Sequence, residues 1–375
     1  MTATDRRSHV RPLTSLRFLA AIWVLLHHAL PRGGPGTYTE AIGASGWLGV
    51  SLFFVLSGFL LTIRYAPDGT LRGPRRAFWL ERLARLGPTY LLALAFALLL
   101  FLRDANSQAD ITRTRALEII GAVVTLQQSW RPELACQWDC PAWSLSVEAW
   151  FYLAFPFVIA ALGGWLLRDA ARSRVRGALV LVVALACSAL IFPWLERVGS
   201  GWVLPIYSLS PLARWPEFLA GIGLAAALRG WRPATSRPGA WLFIAGVTWI
   251  SAAVSLRDCI AMWGLHLLPM SLPGFVLLVA ACWALRDEAT MWLDARWLVL
   301  LGEASYALYL FHAPLHGYLL AAVNRVVGRG YDTSWALFGA YVVLAVGLSV
   351  AVHLLFELPW RARLRRLFGL TARQN

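Results

Sequence analysis

Long runs of mostly apolar residues occupy most of this chain. There are ten of them, at 14–31, 46–65, 84–102, 143–166, 177–195, 211–228, 240–256, 270–285, 298–323 and 335–357. As an α-helix, a run of about 20 apolar residues is long enough to cross the ~30 Å hydrocarbon core of a bilayer. We therefore predict an all-α fold, a polytopic transmembrane helix bundle of about ten spans.

The composition agrees with a lipid environment. Of the 375 residues, 59% are hydrophobic and 14% are charged, whereas soluble domains average about 25% charged residues. The runs leave little room for a soluble domain, so we interpret 1–375 as a single integral-membrane domain with an outer loop, 103–142, and a short basic tail, 361–375. The first run is followed by "HHALPRGG", which lacks a small-residue cleavage site and so indicates an uncleaved helix.

All 34 basic residues are arginines, and the formal net charge is +14. A basic chain suggests nucleic-acid binding, but these arginines lie between the apolar runs, where they set membrane orientation. If alternate connections face opposite sides, 24 of the 34 arginines lie on one side. The positive-inside rule makes that side cytoplasmic. We therefore expect both termini in the cytoplasm, a multi-pass protein of a bacterial inner membrane, and no nucleic-acid partner.

The outer loop contains a candidate helix and two cysteines. In "TRALEIIGAVVTLQQSW", Leu117, Ile120 and Val124 fall on one helical stripe, which is typical of an interfacial or half-inserted helix. Cys136 and Cys140 form a local disulfide if their compartment is oxidising, and two free thiols are the alternative. No histidine lies close enough in sequence to complete a zinc pattern, so we expect no metal site.

Four of the runs carry ionisable residues at a similar depth. At 1.5 Å per residue, His28 lies about 16 Å beyond Arg17 on the first run, in the outer half of the bilayer. The same reasoning places four further side chains near this level: Glu148, His312, Arg214 and Glu217. A charged, unpaired group costs ~2.5 kcal/mol or more in lipid, so we predict that they line one polar cavity. For any single histidine, a hydrogen bond to a neighbouring helix is the alternative.

Two pairs of ionisable residues have a spacing of three, which places both members on one helical face. Arg82 and Arg85 stand where the third run begins, and their spacing suits a phosphate clamp. Membrane orientation alone is the competing explanation for this pair. Arg214 and Glu217 have opposite charges, and we expect them to pair with each other.

Short motifs follow one another along the chain: "LTSLRFLAAIWVLLHH", "GVSLFFVLSGFLLT", "RLARLGP", "WSLSVEAWFYL", "RWPEFLAG", "GEASYALYLFHAP" and "FELPWRARLRR". In the first of them, Arg17 stands eleven residues before His28. Any one motif is a weak signal, but the ordered set resembles the acyltransferase 3 family of bacterial integral-membrane O-acyltransferases. The resemblance covers nearly the whole chain and concerns the membrane domain only.

The resemblance implies an acyl-CoA donor, with acetyl-CoA favoured, on the cytoplasmic side, and a hydroxyl acceptor met toward the outside. The acceptor is then a carbohydrate or a glycosylated small molecule, such as a cell-envelope polysaccharide, and no tightly bound cofactor is expected. We assign His28 as the general base and Glu148 as its partner. The candidate substrate-binding residues are Arg17, Arg82, Arg85, Trp143, Ser146, Arg214, Glu217, Ser305, Tyr306 and His312.

Several alternatives stay open at this point. A transporter or flippase of an acylated or sugar substrate would also place ionisable groups in the membrane, although we see no inverted repeat and no broken-helix pair. A covalent relay through His28 or Ser146 would replace direct transfer through a tetrahedral intermediate. Ser144 and Ser146 otherwise satisfy backbone groups at a helix start. A structural or sensor role leaves the motifs unexplained, and the oligomeric state is undetermined.

Overall fold

The computed structural model describes residues 10–31, 37–107, 112–198, 209–262, 266–285, 292–327 and 334–370, and within these ranges it contains helices and no β-strand. The all-α prediction is therefore confirmed. The first eight α-helices are α1 Arg11–Ala29, α2 Tyr38–Ser45, α3 Gly49–Tyr65, α4 Arg75–Ser107, α5 Arg113–Val124, α6 Trp143–Val158, α7 Gly164–Leu167 and α8 Ala170–Val198. The remaining eight are α9 Pro211–Ala227, α10 Arg237–Ser255, α11 Arg257–Met262, α12 Leu267–Ala284, α13 Arg296–Glu303, α14 Ser305–Val327, α15 Trp335–Val352 and α16 Leu358–Leu367. Two π-helical turns, Ile159–Gly163 and His353–Glu357, join α6 to α7 and α15 to α16.

Among the described residues, seven helical segments are long and apolar enough to cross a membrane, or eight if the bent pair α13 and α14 forms one span. They correspond to eight of the ten predicted runs. The other two runs form α1 and α9, of 19 and 17 residues. Neighbouring helices cover α9, of which 13 residues are buried. A helix enclosed by protein can carry charged residues that a lipid-facing span cannot.

The bundle core is built by close packing of α3 against α9. A Cβ atom on Gly58 of α3 would lie 2.1 Å from the carbonyl oxygen of Phe218, and one on Gly221 of α9 would lie 2.1 Å from that of Val55. The two backbones therefore touch, as small residues allow between membrane helices. α1 packs beside α3 and also contacts α13 and α14. Helices α1 and α9, which carry the predicted site residues Arg17, His28, Arg214 and Glu217, thus both pack against α3.

A break of 62° separates α13 from α14. Ser305 stands directly after it, and its hydroxyl donates to the carbonyl oxygen of Gly302 at 2.7 Å. The sequence showed no broken helix, so this bend is a correction. Ser305 was predicted to bind substrate, but it is fully buried and stabilises the bend instead. The bend directs the α14 segment with Tyr306, Tyr309 and His312 toward α4 and α1.

The loop between α4 and α6 contains the predicted helix, which is α5. Ile119 and Val123 pack inward, whereas Leu117 and Val124 of the predicted stripe are 63% and 44% exposed. Ile120, the third residue of the stripe, packs partly against the core, and the interfacial position of this helix stays a prediction. Cys136 and Cys140 form a disulfide. The cytoplasmic placement of both termini and the division into one domain also stay predictions.

Candidate active site

An elongated cavity of about 750 Å³ lies inside the bundle, within the ~300–1,000 Å³ range of small-molecule sites. Its wall along α3 extends from Val50 to Arg64, a distance of about 21 Å at 1.5 Å per residue. Helices α1, α4, α6 and α14 and the turn His353–Glu357 supply most of the rest of the wall, and single residues of α12 and α13 and two of α16 contribute to it. Apolar side chains of α3, such as Leu56 and Leu60, also line it.

The cavity wall is strongly basic. It includes six arginines and three glutamates, namely Arg17, Arg64, Arg72, Arg82, Arg85, Arg361, Glu148, Glu303 and Glu357. In the part of the chain that the structure describes, Arg17, Arg85 and Arg361 make no hydrogen bond or ion pair. Unpaired guanidinium groups in a partly buried cavity favour an anionic ligand, since bidentate bonds to phosphate or carboxylate would satisfy them.

The predicted clamp residues Arg82 and Arg85 differ in their surroundings. Arg82 is 4% exposed, donates a hydrogen bond to the Tyr65 hydroxyl and lies 4.9 Å from the centre of that ring. The Tyr65 hydroxyl in turn donates to Glu81 at 2.7 Å. Arg85 lies one turn further along α4 and has no such partner in the described residues. Arg85 is therefore the member of the pair available to a ligand, and Arg82 mainly holds α4 to α3.

Glu148 lies in the middle of the cavity. Its carboxylate accepts a hydrogen bond from Ser57 at 2.6 Å and another from the Tyr152 hydroxyl. The positive charges of Arg17 and Arg85 also interact with it. The predicted contact between Glu148 and His28 does not form. Glu148 lies near the level of Arg17, and His28 lies eleven residues further along α1, so packing separates two residues whose estimated depths were similar.

His28 instead contacts His312. His312 Nε2 lies 3.2 Å from His28 Nδ1, and the ring centres are 4.9 Å apart. His28 Nδ1 also lies 2.9 Å from the Val24 carbonyl oxygen, and His312 Nδ1 lies 2.7 Å from the Tyr309 carbonyl oxygen. Sequence reasoning had placed His312 in the substrate site. In the structure, His312 is instead the side chain that hydrogen-bonds to His28.

These distances define the tautomers of both rings. A carbonyl oxygen only accepts, so the Nδ1 atom of each neutral ring carries the proton. His312 Nε2 then carries a lone pair, which accepts from His28 Nδ1–H. The same N–H also donates to the Val24 carbonyl oxygen. The remaining nitrogen, His28 Nε2, has a free lone pair in the neutral ring. His28 is exposed and His312 is 1% exposed, so His28 is the imidazole that a substrate can reach.

The histidine pair lies just beyond one end of the cavity. Tyr309 lines the cavity, and its ring centre is 6.0 Å from that of His312. The Tyr309 hydroxyl accepts from Ser144 at 2.7 Å and donates to the Pro141 carbonyl oxygen at 2.9 Å. The prediction of one cavity lined by all the ionisable groups holds for Glu148 only. His28 and His312 adjoin the cavity through Tyr309 and are not part of its wall.

Arg214 and Glu217 form the predicted pair. Their side chains are 3% and 1% exposed and are joined at 3.2 Å. Arg214 also lies 5.5 Å from the ring centres of Phe54 and of Trp143. Phe54 lines the cavity, so this pair stabilises the wall from behind. Arg214, Glu217 and Trp143 were predicted to contact substrate, and the structure places them outside the cavity.

Ser146 and Tyr306 have distinct positions. Ser146 is fully buried, and its hydroxyl donates to the Leu126 carbonyl oxygen at 2.6 Å and contacts the Ser129 hydroxyl at 2.5 Å. Ser146 therefore attaches the outer loop to α6 and does not face the cavity, contrary to its predicted role. Tyr306 lines the cavity and donates to the Leu86 carbonyl oxygen at 3.0 Å.

Sequence reasoning missed several groups in this site. Tyr152 follows Glu148 by four residues, one helical turn, and that spacing could have identified it. No local signal pointed to Ser57, which α3 brings to Glu148 from 91 residues away. His353 and Glu357, joined at 3.0 Å, also line the cavity. No group of three or more His, Cys, Asp or Glu side chains among the described residues could hold a metal ion.

A multi-pass helix bundle with a basic internal cavity and an exposed histidine beside it has the features of a membrane enzyme. A family model described as an acyltransferase domain matches residues 13–354, and the chain belongs to this acyltransferase 3 family. It is an acyltransferase that transfers groups other than amino-acyl groups. The resemblance seen in the motifs is therefore confirmed.

Two relatives are similar to this chain over most of its length. The chain is 28% identical to the acyltransferase MdmB of Streptomyces mycarofaciens, over 91% of this chain and 87% of that protein. It is 24% identical to the putative peptidoglycan O-acetyltransferase YrhL of Bacillus subtilis, over 98% of this chain but 57% of that protein. The chain therefore spans little more than half of the Bacillus protein. No solved structure matches the chain.

Proposed function

We propose that this chain transfers an acyl group, with acetyl favoured, from cytoplasmic acyl-CoA to a hydroxyl group of a carbohydrate or glycosylated small molecule, across a bacterial inner membrane. The main support is the cavity itself, which has unpaired guanidinium groups in its basic part and an accessible imidazole beyond its other end. CoA carries a pyrophosphate and a 3′-phosphate, which suit arginine clusters. The printed name of one relative, a putative peptidoglycan O-acetyltransferase, supports a carbohydrate acceptor.

The donor is proposed to bind along the length of the cavity. Its phosphates would contact Arg85 and Arg17, and its pantetheine arm would follow the apolar side chains of α3. The thioester would then reach the end formed by Ser144 and Tyr309. A wall of about 21 Å along α3 agrees with an elongated ligand that has charge at one end and a reactive group at the other.

His28 is proposed to act as the general base. Its Nε2 accepts the proton of the acceptor hydroxyl, and the hydroxyl oxygen attacks the thioester carbonyl carbon to give a tetrahedral intermediate. Collapse of this intermediate forms the ester and breaks the carbon–sulfur bond. The departing thiolate then takes the proton from His28, so the products are the acylated acceptor and free CoA. His312 accepts from Nδ1–H throughout and holds the ring in this tautomer.

The surroundings of Ser146 favour direct transfer over a relay through that residue. Its hydroxyl is fully buried, and Leu126 and Ser129 occupy its hydrogen-bonding capacity. An acyl group on Ser146 would require the outer loop to detach from α6. If the acyl group instead passed through His28 itself, radiolabelled donor would form an acyl-imidazole on His28 even without acceptor. Direct transfer would not form it.

The experiment uses the purified full-length chain in lipid nanodiscs with radiolabelled acetyl-CoA and a panel of glycan acceptors. We expect CoA release that depends on the acceptor and an acetylated product whose mass is increased by one acetyl group. Mass spectrometry of envelope glycans and secreted metabolites from a deletion strain would identify the natural acceptor. Transport of intact substrate into proteoliposomes without CoA release would instead indicate the transporter alternative.

A further inference from the structure

The helix that follows the second π-helical turn contributes an arginine to the cavity. The turn His353–Glu357 leads directly into α16, and His353, Glu357, Leu358 and Arg361 all line the cavity. Their spacings of four, one and three residues place them on one helical face. π-helical turns are rare and are frequently found at functional sites. Arg361 is the first residue of the predicted basic tail, 361–375, and nothing in the sequence indicated that it lines the cavity.

Arg361 has no counter-ion among the described residues. Its guanidinium makes no hydrogen bond or ion pair there, and its Nε atom is buried without a partner. The charged groups that affect it most are themselves arginines, namely Arg85, Arg82, Arg64 and Arg365. Like charges held this close in a partly buried site repel one another. A bound polyanion would remove this cost, and bidentate hydrogen bonds to phosphate would satisfy the buried Nε.

Other arginines of α16 have different surroundings. Arg363 is exposed and lies 5.4 Å from the centre of the Trp360 ring. Arg366 is exposed and donates to the Ala362 carbonyl oxygen at 3.4 Å. Neither lines the cavity. Membrane orientation would be served equally by any of these arginines, so it does not explain why Arg361 alone of the three is directed into the cavity beside Arg85.

We propose that Arg361 binds a phosphate group at the nucleotide end of the acyl donor together with Arg85, so that α16 forms part of the donor site. The inference rests on the proposed acyl-CoA donor. Residue 361 lies beyond residues 13–354, which match the family model, so membership of the family does not account for this contact. A negatively charged lipid headgroup would offer the same phosphate chemistry, and the choice of ligands and lipid below separates the two.

The test is to measure ligand affinity by isothermal titration calorimetry, with the full-length chain in nanodiscs of zwitterionic lipid. The ligands are CoA and adenosine 3′,5′-bisphosphate, which contains the nucleotide end without the pantetheine arm. We expect Arg361→Gln to weaken the binding of both ligands by about tenfold or more, as the loss of a charge-assisted hydrogen bond implies. Arg361→Lys should bind with intermediate affinity, because Lys keeps the charge but not the fork. The matched control Arg363→Gln should change affinity by less than about twofold, as for an exposed charge.

The outcomes separate this inference from the proposed function. If the wild-type chain binds no CoA, the proposed donor is wrong, and the inference fails with it. If the wild type binds CoA and Arg361→Gln binds it equally well, only the inference is wrong, which is also the result expected if Arg361 holds a lipid headgroup. Weaker binding of CoA but not of the bisphosphate would likewise overturn it. Thermal unfolding checks each variant, and Arg361→Lys provides the comparison if Arg361→Gln does not fold.

Discussion

Replacing His312 by leucine tests the assignment of the histidine pair. The substitution removes the Nε2 acceptor of the His28 Nδ1–H bond at 3.2 Å and keeps an apolar side chain of similar size. The Val24 carbonyl oxygen, at 2.9 Å, still accepts from His28. The expected loss is therefore that of one neutral hydrogen bond, about 1 kcal/mol. At 1.36 kcal/mol per tenfold change in rate, this corresponds to a roughly fivefold lower kcat.

Removing the base itself should cost far more. We expect His28→Ala to lower kcat by roughly 10²–10⁴-fold with little change in donor affinity. His312→Gln, which restores an acceptor, should recover most of the activity lost in His312→Leu. Because His312 acts through His28, the double variant His28→Ala/His312→Leu should be no slower than His28→Ala by more than about twofold.

The assay is release of CoA from acetyl-CoA, with acceptor present, per correctly folded molecule. Thermal unfolding of each variant corrects for any loss of folded protein. Two results would refute the reasoning. A loss in His312→Leu as large as that expected for His28→Ala, with His28→Ala close to wild type, would make His312 the base. Equal and modest losses in both single variants would remove the pair from the chemistry.

Three further predictions follow from the same structure. Arg85→Ala should raise the KM for acyl-CoA by about tenfold or more, because phosphate contacts are lost, and an unchanged KM in steady-state kinetics would contradict a donor role. Removing either partner of the Arg214–Glu217 pair should lower thermal stability more than the double change Arg214→Met/Glu217→Leu, because a single change leaves a buried charge unpaired; equally stable single and double variants would argue against this. Burial raises the pKa of the Asp139 carboxyl, so its contribution to stability is present below the unfolded value near 4 and is lost as the pH rises toward the higher folded value. Asp139→Asn should therefore unfold at a higher temperature than the wild type at neutral pH and at a similar temperature near pH 4, and the opposite pH dependence would refute the assignment.

The positions of the helices could be predicted from the sequence because they depend on local signals. Apolar runs of about 20 residues imply membrane helices wherever they occur, and eight of the ten runs meet the length and hydropathy that a span requires. Interacting pairs of residues within one helix could also be predicted, because residues three or four apart share a face. Arg214 and Glu217 pair as their spacing indicates. The family could be recognised because its motifs are short, ordered segments of sequence.

Contacts between helices were beyond local reasoning. Depth along a helix axis can be counted from residue number, but the direction in which a side chain points depends on how each helix rotates against its neighbours. His28 and Glu148 have similar estimated depths, yet packing joins His28 to His312 and Glu148 to Ser57. Ser146 and Arg361 are two further examples: Ser146 was expected in the site but does not line the cavity, and Arg361 was not expected there but does.

Ser146, in the motif "WSLSVEAWFYL", is enclosed by the outer loop, whereas Arg361 of the basic tail lines the cavity. Hydrophobic length and charge spacing are properties of short segments, so the chain specifies them before it folds. The partners of a polar side chain depend on segments far apart in sequence, and only the packed bundle brings those segments together.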